Sequence, residues 1–320
     1  MSVAARFSTC WVVTDGKAGM ESQCLGLAEA LGVAPVVKRV VLRTPWRQLS
    51  PYLRLGLSHA YEPGSDALAP PWPDILIASG RHSVPASLYV RRESRRAGTR
   101  TLTVQIQNPV IAASHFDLVV TPLHDRLSGP NVISTIGALH RVTPERLAAE
   151  AEALAPQVSH LPRPYVGVLI GGPNAAFRFG PKDMRAFAGA LRDLAKNAGV
   201  SPLVTPSRRT GDIAILRATL ADVPAFVWDG AGANPYFGIL GLADHLIVTS
   251  DSVNMISEAC ATGRPVRIYN LPGGSGKTRR FQRLLRERNL TRDFEGHLES
   301  FTAPRIDEMS TVVDAIRKLA

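Results

Sequence analysis

The residues best suited to chemistry lie between Asp244 and Pro265, where an apolar run is followed by a polar turn and a short helical pattern. The run His245–Val248 predicts a buried strand of a parallel sheet. Backbone N–H groups at a strand-to-helix turn bind anions, because they lack partners and the helix dipole adds positive charge. We therefore predict that a diphosphate binds to the backbone groups of Ser252, Val253, Asn254 and Met255.

Glu258 lies about one and a half turns inside that predicted helix. Its carboxylate could accept hydrogen bonds from two vicinal hydroxyls, such as those of a ribose. Diphosphate on the turn and ribose on Glu258 would together form a nucleotide-sugar site. The pattern is equally compatible with an ordinary βα unit in which Glu258 pairs with Arg264 or Arg267.

Two further turns in the second half of the chain could contact the same ligand. Gly171 follows the strand-like run Tyr165–Ile170 but lacks the full G-x-G-x-x-G spacing, so we predict a phosphate- or sugar-facing loop rather than a dinucleotide motif. Arg208 and Arg209 follow the next predicted strand, and paired guanidinium groups suit a diphosphate. Solvated loop charges are the alternative interpretation of the two arginines.

Titratable groups also follow predicted strands in the first half. Asp15 stands where a catalytic or acceptor-binding carboxylate belongs, although an N-cap or Asx-turn is the alternative. His82 and His124 follow two other strands, and imidazole titrates near neutral pH. A structural hydrogen bond is the competing interpretation of either histidine. We predict that Asp15 or His124 deprotonates an acceptor hydroxyl. The predicted acceptor-binding residues are Gly16, Gln23, Arg81 and Gln105.

The composition indicates a chain with a sizeable core and a basic surface. Of the 320 residues, 45% are hydrophobic, and the formal net charge is +10. No apolar run approaches the ~20 residues of a membrane-spanning helix, and the N-terminal residues lack the apolar stretch of a secretory signal. Cys10, Cys24 and Cys260 are far apart and lack metal-ligand spacing. We therefore predict a reducing compartment, no metal site and no cofactor.

The basic residues are clustered, which suits an anionic partner. The segment Lys38–Tyr61 mixes Arg with Trp, Tyr and Leu and contains no acid. That mixture is typical of an interfacial segment on anionic lipid, although an ordinary buried loop is as compatible. Nucleic acid is the least favoured partner, because no zinc spacing, helix-turn-helix or aromatic RNA-binding pattern accompanies the charge. We expect a cytoplasmic protein, with a peripheral position on the inner face of the membrane as a variant.

Strand-like runs alternate with helical patterns along the chain, which is typical of parallel βαβ units. The proline-rich stretch Ala155–Pro164 separates two such series and predicts a linker. We therefore predict the α/β class, with two Rossmann-like parallel-sheet domains facing a cleft, in residues 1–155 and 165–305. Residues 306–320 are predicted as a C-terminal helix that could pack back on the N-terminal domain. Ligands of such sheets bind beyond the carboxyl ends of the strands.

The order of several motifs resembles a known family. These motifs are Asp15-Gly16, Ser79-Gly80-Arg81, Gln105…Pro109, His124-Asp125, Ser207-Arg208-Arg209-Thr210 and Ser250-Asp251-Ser252-Val253-Asn254-Met255…Glu258. Together they are similar to the plant mitochondrial-fission ("elongated mitochondria") family and its bacterial relatives. The resemblance covers about Trp11 to Gly296, and the order of the motifs is more specific than any one of them.

The resemblance implies an activity. Bacterial members of that family are regarded as glycosyltransferases of the GT-B architecture, some of them tied to lipooligosaccharide. The stretch Ser250–Pro265 is also similar to the donor site of the N-acetylglucosaminyltransferase that makes the peptidoglycan lipid precursor. In that enzyme the matching turn binds the diphosphate and the residue matching Glu258 binds the ribose. A donor site in residues 165–300 and an acceptor site in residues 1–150 follow from the resemblance.

Taken together, these patterns predict a GT-B glycosyltransferase. It would move a sugar from a nucleotide-sugar donor to an envelope or lipid-linked acceptor, with an anionic membrane surface as a further partner. One alternative is a sugar-nucleotide epimerase of the same fold, which needs no acceptor. The other is a non-catalytic adaptor that uses its basic surfaces to associate with membranes.

Overall fold

The computed structural model describes residues 7–305 and 307–320. The chain forms two compact units: Met1–Arg141 with Asp307–Ala320, hereafter unit 1, and Val142–Ile306, hereafter unit 2. The strands are β1 (Cys10–Thr14), β2 (Pro35–Arg39), β3 (Ile75–Ser79), β4 (Leu102–Ile106), β5 (Leu118–Pro122), β6 (Val132–Thr135), β7 (Tyr165–Ile170), β8 (Ser201–Pro206), β9 (Phe226–Val227), β10 (His245–Thr249), β11 (Val266–Tyr269) and β12 (Thr291–Asp293).

The α-helices alternate with these strands along most of the chain. They are α1 (Ala18–Leu31), α2 (Trp46–Leu49), α3 (Val84–Arg96), α4 (Pro144–Val158), α5 (Pro181–Ala198), α6 (Ala214–Leu220), α7 (Tyr236–Leu242), α8 (Val253–Ala261), α9 (Gly276–Glu287) and α10 (Met309–Leu319). Short 3-10 helices add Leu57–His59, Ala113–His115 and Leu123–Asp125.

Unit 1 is built on a six-stranded parallel sheet in the order β2-β1-β3-β4-β5-β6. Strands β1, β3, β4 and β5 are buried along their whole length, which explains their continuous apolar runs. On one face the strands pack with Leu27 of α1 and with Val312 and Ile316 of α10. On the other face Trp11 and Val13 pack with Val90 of α3.

Unit 2 is built on a second six-stranded parallel sheet, in the order β12-β11-β10-β7-β8-β9. One face packs with Phe187 and Leu191 of α5 and with Leu216 of α6. The other face is covered at Gly167, where an added Cβ would lie 3.0 Å or less from side-chain atoms of Leu246 and Ile239.

The division between the units falls between Arg141 and Val142, not within the predicted linker. Helix α4 continues through Pro156 to Val158, so the first residues of that stretch are helical. The helix belongs to unit 2 because it packs closely on α7. A Cβ at Gly238 would lie 2.7 Å from the Glu150 carbonyl oxygen, and one at Gly241 would lie 2.4 Å from the Leu147 carbonyl oxygen.

The C-terminal helix α10 packs within unit 1, against α1. Glu308, just before it, accepts hydrogen bonds from the backbone N–H groups of Ile136 and Gly137, the latter at 3.0 Å. The predicted first residue of this helix, Ile306, lies outside the described residues. Within the described ranges, no helix has the length and apolar character needed to cross a bilayer.

Candidate functional site

Each sheet has one position where the strand order reverses, and the candidate residues follow the strands on either side of it. In unit 2 this position lies between β7 and β10, which are followed by Gly171 and Asp251. In unit 1 it lies between β1 and β3, which are followed by Asp15 and Gly80. Ligands of open α/β sheets bind beyond the carboxyl ends of the strands at such switch points. The topology therefore makes one candidate site in each unit.

Asp251, after β10, is the centre of the unit 2 site. Its side chain is 0% exposed. It accepts hydrogen bonds from Thr249 Oγ1 at 2.7 Å and from the Gly172 N–H at 3.0 Å. Arg209 donates to the same carboxylate at 2.8 Å. Because a buried carboxylate is tolerated only when it is paired and hydrogen-bonded, these contacts fix the loops after β7, β8 and β10 together.

The glycines after β7 are explained by this packing. A Cβ at Gly171 would lie 2.2 Å from Asp251 Oδ2, and one at Gly172 would lie 2.3 Å from the Arg209 carbonyl oxygen. The Gly171 N–H donates to Thr249 Oγ1 at 2.8 Å. The loop predicted to face a phosphate or sugar is thus fixed by hydrogen bonds to other protein groups. Gly171 leaves the space that the Asp251 carboxylate occupies.

Arg208 and Arg209 have different environments, although the sequence treats them as a pair. Arg209 donates to Asp251 and, at 2.9 Å, to the Gly172 carbonyl oxygen, so its guanidinium positions the loops. Arg208 is exposed and makes no hydrogen bond or ion pair with the residues that the structure describes. Of the two, Arg208 has the guanidinium that is available to an anion.

The first turn of α8 combines a capped and an uncapped part. Ser252 is the N-cap, and its hydroxyl accepts a hydrogen bond from the Met255 N–H at 3.3 Å. The Val253 N–H has no acceptor within the described ranges. Asn254 lies in the same turn. The Met255 N–H is therefore hydrogen-bonded within the protein. Fewer backbone N–H groups remain for a diphosphate than the sequence predicts.

Glu258 lies inside α8 with 8% of its surface exposed. Its Oε2 accepts a hydrogen bond from the Tyr236 hydroxyl at 2.6 Å. Burial raises the pKa of Tyr236 well above its ordinary value, and the charge of Glu258 and this hydrogen bond raise it further. Tyr236 therefore remains a hydrogen-bond donor to the carboxylate through the neutral range.

The arginines considered as alternative partners of Glu258 have other hydrogen bonds. Arg264 donates to the carbonyl of Gly241, and Arg267 donates to the carbonyl of Glu299. Both contacts draw the arginines towards backbone acceptors on other segments of unit 2. The sequence did not identify Tyr236 as the group beside the Glu258 carboxylate.

In unit 1, Asp15 is held by two neighbours. Lys17 forms an ion pair with Asp15 Oδ2, and His82 places its Nδ1 3.4 Å from the same oxygen. Burial raises the pKa of Asp15, but the hydrogen bonds and charge of Lys17, with a further hydrogen bond from His82, outweigh it. The net pKa of Asp15 is below its ordinary value. The carboxylate is ionised at neutral pH and orients the imidazole.

His82 is oriented on both ring nitrogens. Arg81 Nε lies 3.3 Å from His82 Nε2, which makes Nε2 the acceptor and Nδ1 the protonated nitrogen facing Asp15. Burial lowers the pKa of His82, the hydrogen bond to Asp15 opposes this, and the charges of Lys17 and Arg81 lower the pKa further. The imidazole is therefore neutral at pH 7, and because Arg81 is exposed, another donor can replace it at Nε2.

Two buried polar atoms beside this pair have no hydrogen-bond partner among the described residues. Gln105 Nε2 donates to the carbonyls of Gly80 and Ile106 at 3.1 and 3.2 Å, but its Oε1 is unpaired. Ser79 Oγ, at the end of the adjacent strand, is also unpaired. Unsatisfied buried groups cost about 1–3 kcal/mol each, so a water molecule or ligand hydroxyl at this edge would be stabilised.

Three of the predicted unit 1 residues are buried: Gln105, which is 0% exposed, His124 and Gln23. The His124 side chain is 2% exposed and lies 3.7 Å from Asp125. Gln23 is inside α1, is 2% exposed and donates to the Gly19 carbonyl at 3.3 Å. The environments of His124 and Gln23 fit structural roles, because a base or acceptor ligand must be reachable. Gln105 is as buried as they are, and its Oε1 is unpaired among the described residues. Gly16, by contrast, has a φ of 81° and open space where a Cβ would stand.

The sequence missed Asp251 as a central group, although it follows the strand directly in the Ser-Asp-Ser motif. The sequence predicted Arg209 beside a diphosphate, and the structure shows its guanidinium donating to the Asp251 carboxylate. Among residues 7–305 and 307–320, no group of three or more His, Cys, Asp or Glu side chains is arranged to hold a metal ion.

The two parallel sheets define the class, an α/β protein of the GT-B fold. The chain belongs to the mitochondrial fission ELM1 family, whose sequence pattern matches residues 18–319. It is 30% identical to the mitochondrial fission protein ELM1 of Arabidopsis thaliana over 77% of this chain and 64% of that protein, so it spans slightly less than two thirds of that relative. The uncharacterized protein RP120 of Rickettsia prowazekii is 25% identical, over 96% of this chain and 97% of that protein.

Solved structures share the fold across nearly the whole chain. MurG of Acinetobacter baumannii has a TM-score of 0.53 at 13% identity, covering 97% of this chain and 99% of that chain. UGT71G1 of Medicago truncatula, complexed with UDP-glucose, has a TM-score of 0.50 at 11% identity, and the match covers 98% of this chain and 90% of that chain. A Listeria monocytogenes protein described as a UDP-N-acetylglucosamine 2-epimerase has a TM-score of 0.51 at 10% identity. That match covers 98% of this chain and 88% of that chain. The predicted family resemblance is confirmed, and so is the α/β class with two parallel sheets.

Proposed function

We propose that this protein binds a nucleotide-sugar at the unit 2 switch point and transfers the sugar to an envelope or lipid-linked acceptor at the unit 1 switch point. The observation that carries the donor site is the Asp251 cluster, which fixes the turn before α8. That turn contains the Val253 N–H, and the loop after β8, which Arg209 ties to Asp251, contains the exposed Arg208. The neighbour of the same fold complexed with UDP-glucose supports a nucleotide-sugar as the ligand class.

The donor would be held by its diphosphate and its ribose. The α8 dipole, the Val253 N–H and the Arg208 guanidinium stabilise the negative charge that develops on the departing diphosphate. The ribose hydroxyls donate to Glu258, where they replace or join the hydrogen bond from Tyr236. Asp251 and Arg209 take no part in contact with the ligand and position the loops instead.

The acceptor would be activated by His82. The acceptor oxygen attacks the anomeric carbon, the bond from that carbon to the diphosphate breaks, and the electron pair leaves with the diphosphate. The acceptor proton passes to His82 Nε2, while Asp15 stabilises the imidazolium through Nδ1. This assignment replaces His124 with His82 as the base and gives Asp15 the orienting role, because Asp15 is ion-paired and its lowered pKa makes it a weak base.

Calorimetry with UDP-, GDP- and CMP-sugars tests the donor site. We expect one class to bind, and Glu258→Ala to weaken binding by about tenfold or more, because a charged hydrogen bond contributes roughly 1.5–3 kcal/mol. Glu287→Ala, in the exposed face of α9, is the matched control and should bind as the wild type does. Absence of binding by any nucleotide-sugar to the wild type would refute the proposal.

A sugar-nucleotide epimerase is the second candidate, and the shared fold with the Listeria protein favours it. The two activities differ in their need for an acceptor. Incubation with the bound nucleotide-sugar alone, followed by NMR, gives an epimer if the protein is an epimerase and unchanged donor if it is a transferase. An adaptor without catalysis would give unchanged donor and keep its cellular function in the Glu258→Ala variant.

A further inference from the structure

Residues 43–57 of unit 1, hereafter the basic–apolar loop, expose large apolar side chains close together. Leu55 is 80% exposed, Tyr52 is 67% exposed and Leu49 is 52% exposed. The Tyr52 N–H donates to the Leu49 carbonyl at 2.8 Å, so these side chains project from neighbouring positions. Three such residues within seven positions form a patch, whereas single exposed apolar residues are common on protein surfaces.

The basic–apolar loop is an ordered structure. The Trp46 indole N–H donates to the Leu55 carbonyl at 2.8 Å, which closes the loop. Trp46 also packs against the small cluster of Leu42, Leu57 and Ala60. The exposed apolar groups are therefore held in place by buried residues of the same segment, and they remain exposed because nothing in the described part of unit 1 covers them.

The charged side chains of this segment have one sign. Arg43, Arg47 and Arg54 are all exposed, and no acid occurs from Lys38 to Tyr61. The next acid along the chain is Glu62. Its backbone N–H donates to the Val41 carbonyl at 2.8 Å.

We infer that the basic–apolar loop binds the surface of an anionic phospholipid bilayer. Leu and Tyr side chains enter the region between headgroups and acyl chains, and Arg side chains pair with lipid phosphates. A second copy of this chain fits the surface less well. A two-fold dimer would bring the same patch from each copy together, and with it two sets of three arginines without an acid.

The location of this surface gives it a connection to the unit 1 site. Ser50, within the loop, is buried and donates to the Arg81 carbonyl at 3.0 Å. Arg81 immediately precedes His82, the base of the proposed transfer. A bilayer under the loop would thus lie near the switch point of unit 1, where a lipid-linked acceptor would arrive. The lipid binding itself does not depend on the proposed transfer.

Co-sedimentation of the full chain with vesicles tests the inference, without any nucleotide present. Vesicles of phosphatidylglycerol and phosphatidylcholine should bind the protein, vesicles of phosphatidylcholine alone should bind it far less, and added salt should release it. The test variants are Leu49→Ser/Tyr52→Ser/Leu55→Ser and Arg43→Gln/Arg47→Gln/Arg54→Gln. Because one arginine near an anionic surface contributes about fivefold, the second variant should partition roughly a hundredfold less.

Matched controls keep the same chemistry at other surfaces. The controls are Val36→Ser/Val110→Ser/Leu319→Ser, which change exposed apolar residues, and Arg185→Gln/Arg217→Gln/Arg288→Gln, which change exposed arginines. Both should bind vesicles as the wild type does. All substitutions are on the surface, and circular dichroism melting curves check that each variant is folded.

Three outcomes would overturn the inference. The first is wild-type binding that is equal on both kinds of vesicle or absent. The second is equal loss in the test and control variants, which would indicate general charge attraction. The third is a dimer that the Leu49→Ser/Tyr52→Ser/Leu55→Ser variant converts to a monomer in sedimentation, since the patch would then join two copies. Vesicle binding without nucleotide-sugar binding would refute only the proposed transferase.

Discussion

At the scale of the residue, the unit 2 site depends on Gly171, because a glycine has no side chain. The space beside Gly171 is filled by the Asp251 carboxylate, which Thr249, Gly172 and Arg209 hold in place. The buried Asp251 carboxylate therefore fixes the loops after β7, β8 and β10. The groups proposed to contact the ligand belong to those loops. Substitutions that disturb the carboxylate should alter stability and binding together.

The Gly171→Ala variant tests this arrangement. We expect a loss of about 1–3 kcal/mol in the free energy of unfolding, because the new methyl group overpacks against a fixed carboxylate. Urea denaturation followed by circular dichroism measures it. Gly189→Ala is the control: it lies in α5 with no atom within 4 Å of the added Cβ, and it should be neutral or stabilising by up to ~1 kcal/mol. Equal destabilisation by both substitutions would contradict the packing argument.

The Asp15–His82 pair makes a prediction about titration. His82 should titrate below 6.5 in the folded protein, as measured by NMR of the ring signals and assigned with His82→Gln. Asp15→Asn should lower this pKa further, because it removes the hydrogen bond that opposes the shift. Lys17→Gln should raise the pKa, because it removes a nearby positive charge. Shifts of the same sign in both variants would show that the geometry is wrong.

The same shift has a consequence for stability. Because the folded pKa of His82 lies below the unfolded value, the unfolded chain binds more protons between the two. The stability that this group contributes is present above pH 6.5 and is lost as the pH falls through the folded pKa. Asp15, whose pKa is also lowered, loses its contribution at more acidic pH in the same direction.

At the scale of the element, the first turn of helix α8 has two roles. It follows β10 and begins the helix with an N-cap, and it also faces the proposed diphosphate. The N-cap variant Ser252→Ala should lose about 1 kcal/mol of stability and should also weaken nucleotide-sugar binding in calorimetry. Thr143→Ala removes an equivalent cap from α4, where Thr143 accepts from the Arg146 N–H at 3.2 Å. It should cost similar stability without changing binding, and a matching loss of affinity would contradict the assignment.

The sequence predicts elements better than it predicts contacts. The run His245–Val248 and the helix after it were predicted because apolar continuity and a following Gly263 are local signals. Strand β12 was missed because Thr291–Asp293 is short and polar and pairs only with β11 at the sheet edge. Helix α4 passes Pro156, which local rules interpret as a stop, since proline near the end of a helix removes few hydrogen bonds.

The site was only partly predictable for the same reason. The alternation of strands and helices predicts where strands end. The positions of Asp15, Gly171 and Ser252 after strands could therefore be predicted from the sequence. Which polar groups satisfy one another is a matter of three-dimensional distance. The pairing of Arg209 with Asp251 and of Tyr236 with Glu258 joins residues 42 and 22 positions apart, and no local pattern encodes it.

At the scale of the whole molecule, each unit has its own core, and the core of unit 1 includes helix α10. Ile316→Ala should destabilise unit 1 by about 2–5 kcal/mol, because Ile316 is fully buried and its loss leaves a cavity. Hydrogen exchange should then accelerate in α1 and remain unchanged in α5. Leu319→Ala, on the same helix but 36% exposed, is the control. Faster exchange throughout both units would contradict separate cores.

The return of the chain to unit 1 sets an order of events on the ribosome. Residues Val142–Ile306 are contiguous, so every strand of unit 2 has been synthesised before Asp307 is added. The layer formed by Val312 and Ile316 reaches α1 only afterwards. During translation, helix α1 can cover its part of that face of the first sheet early, but the part that α10 covers stays exposed until the second sheet has been synthesised.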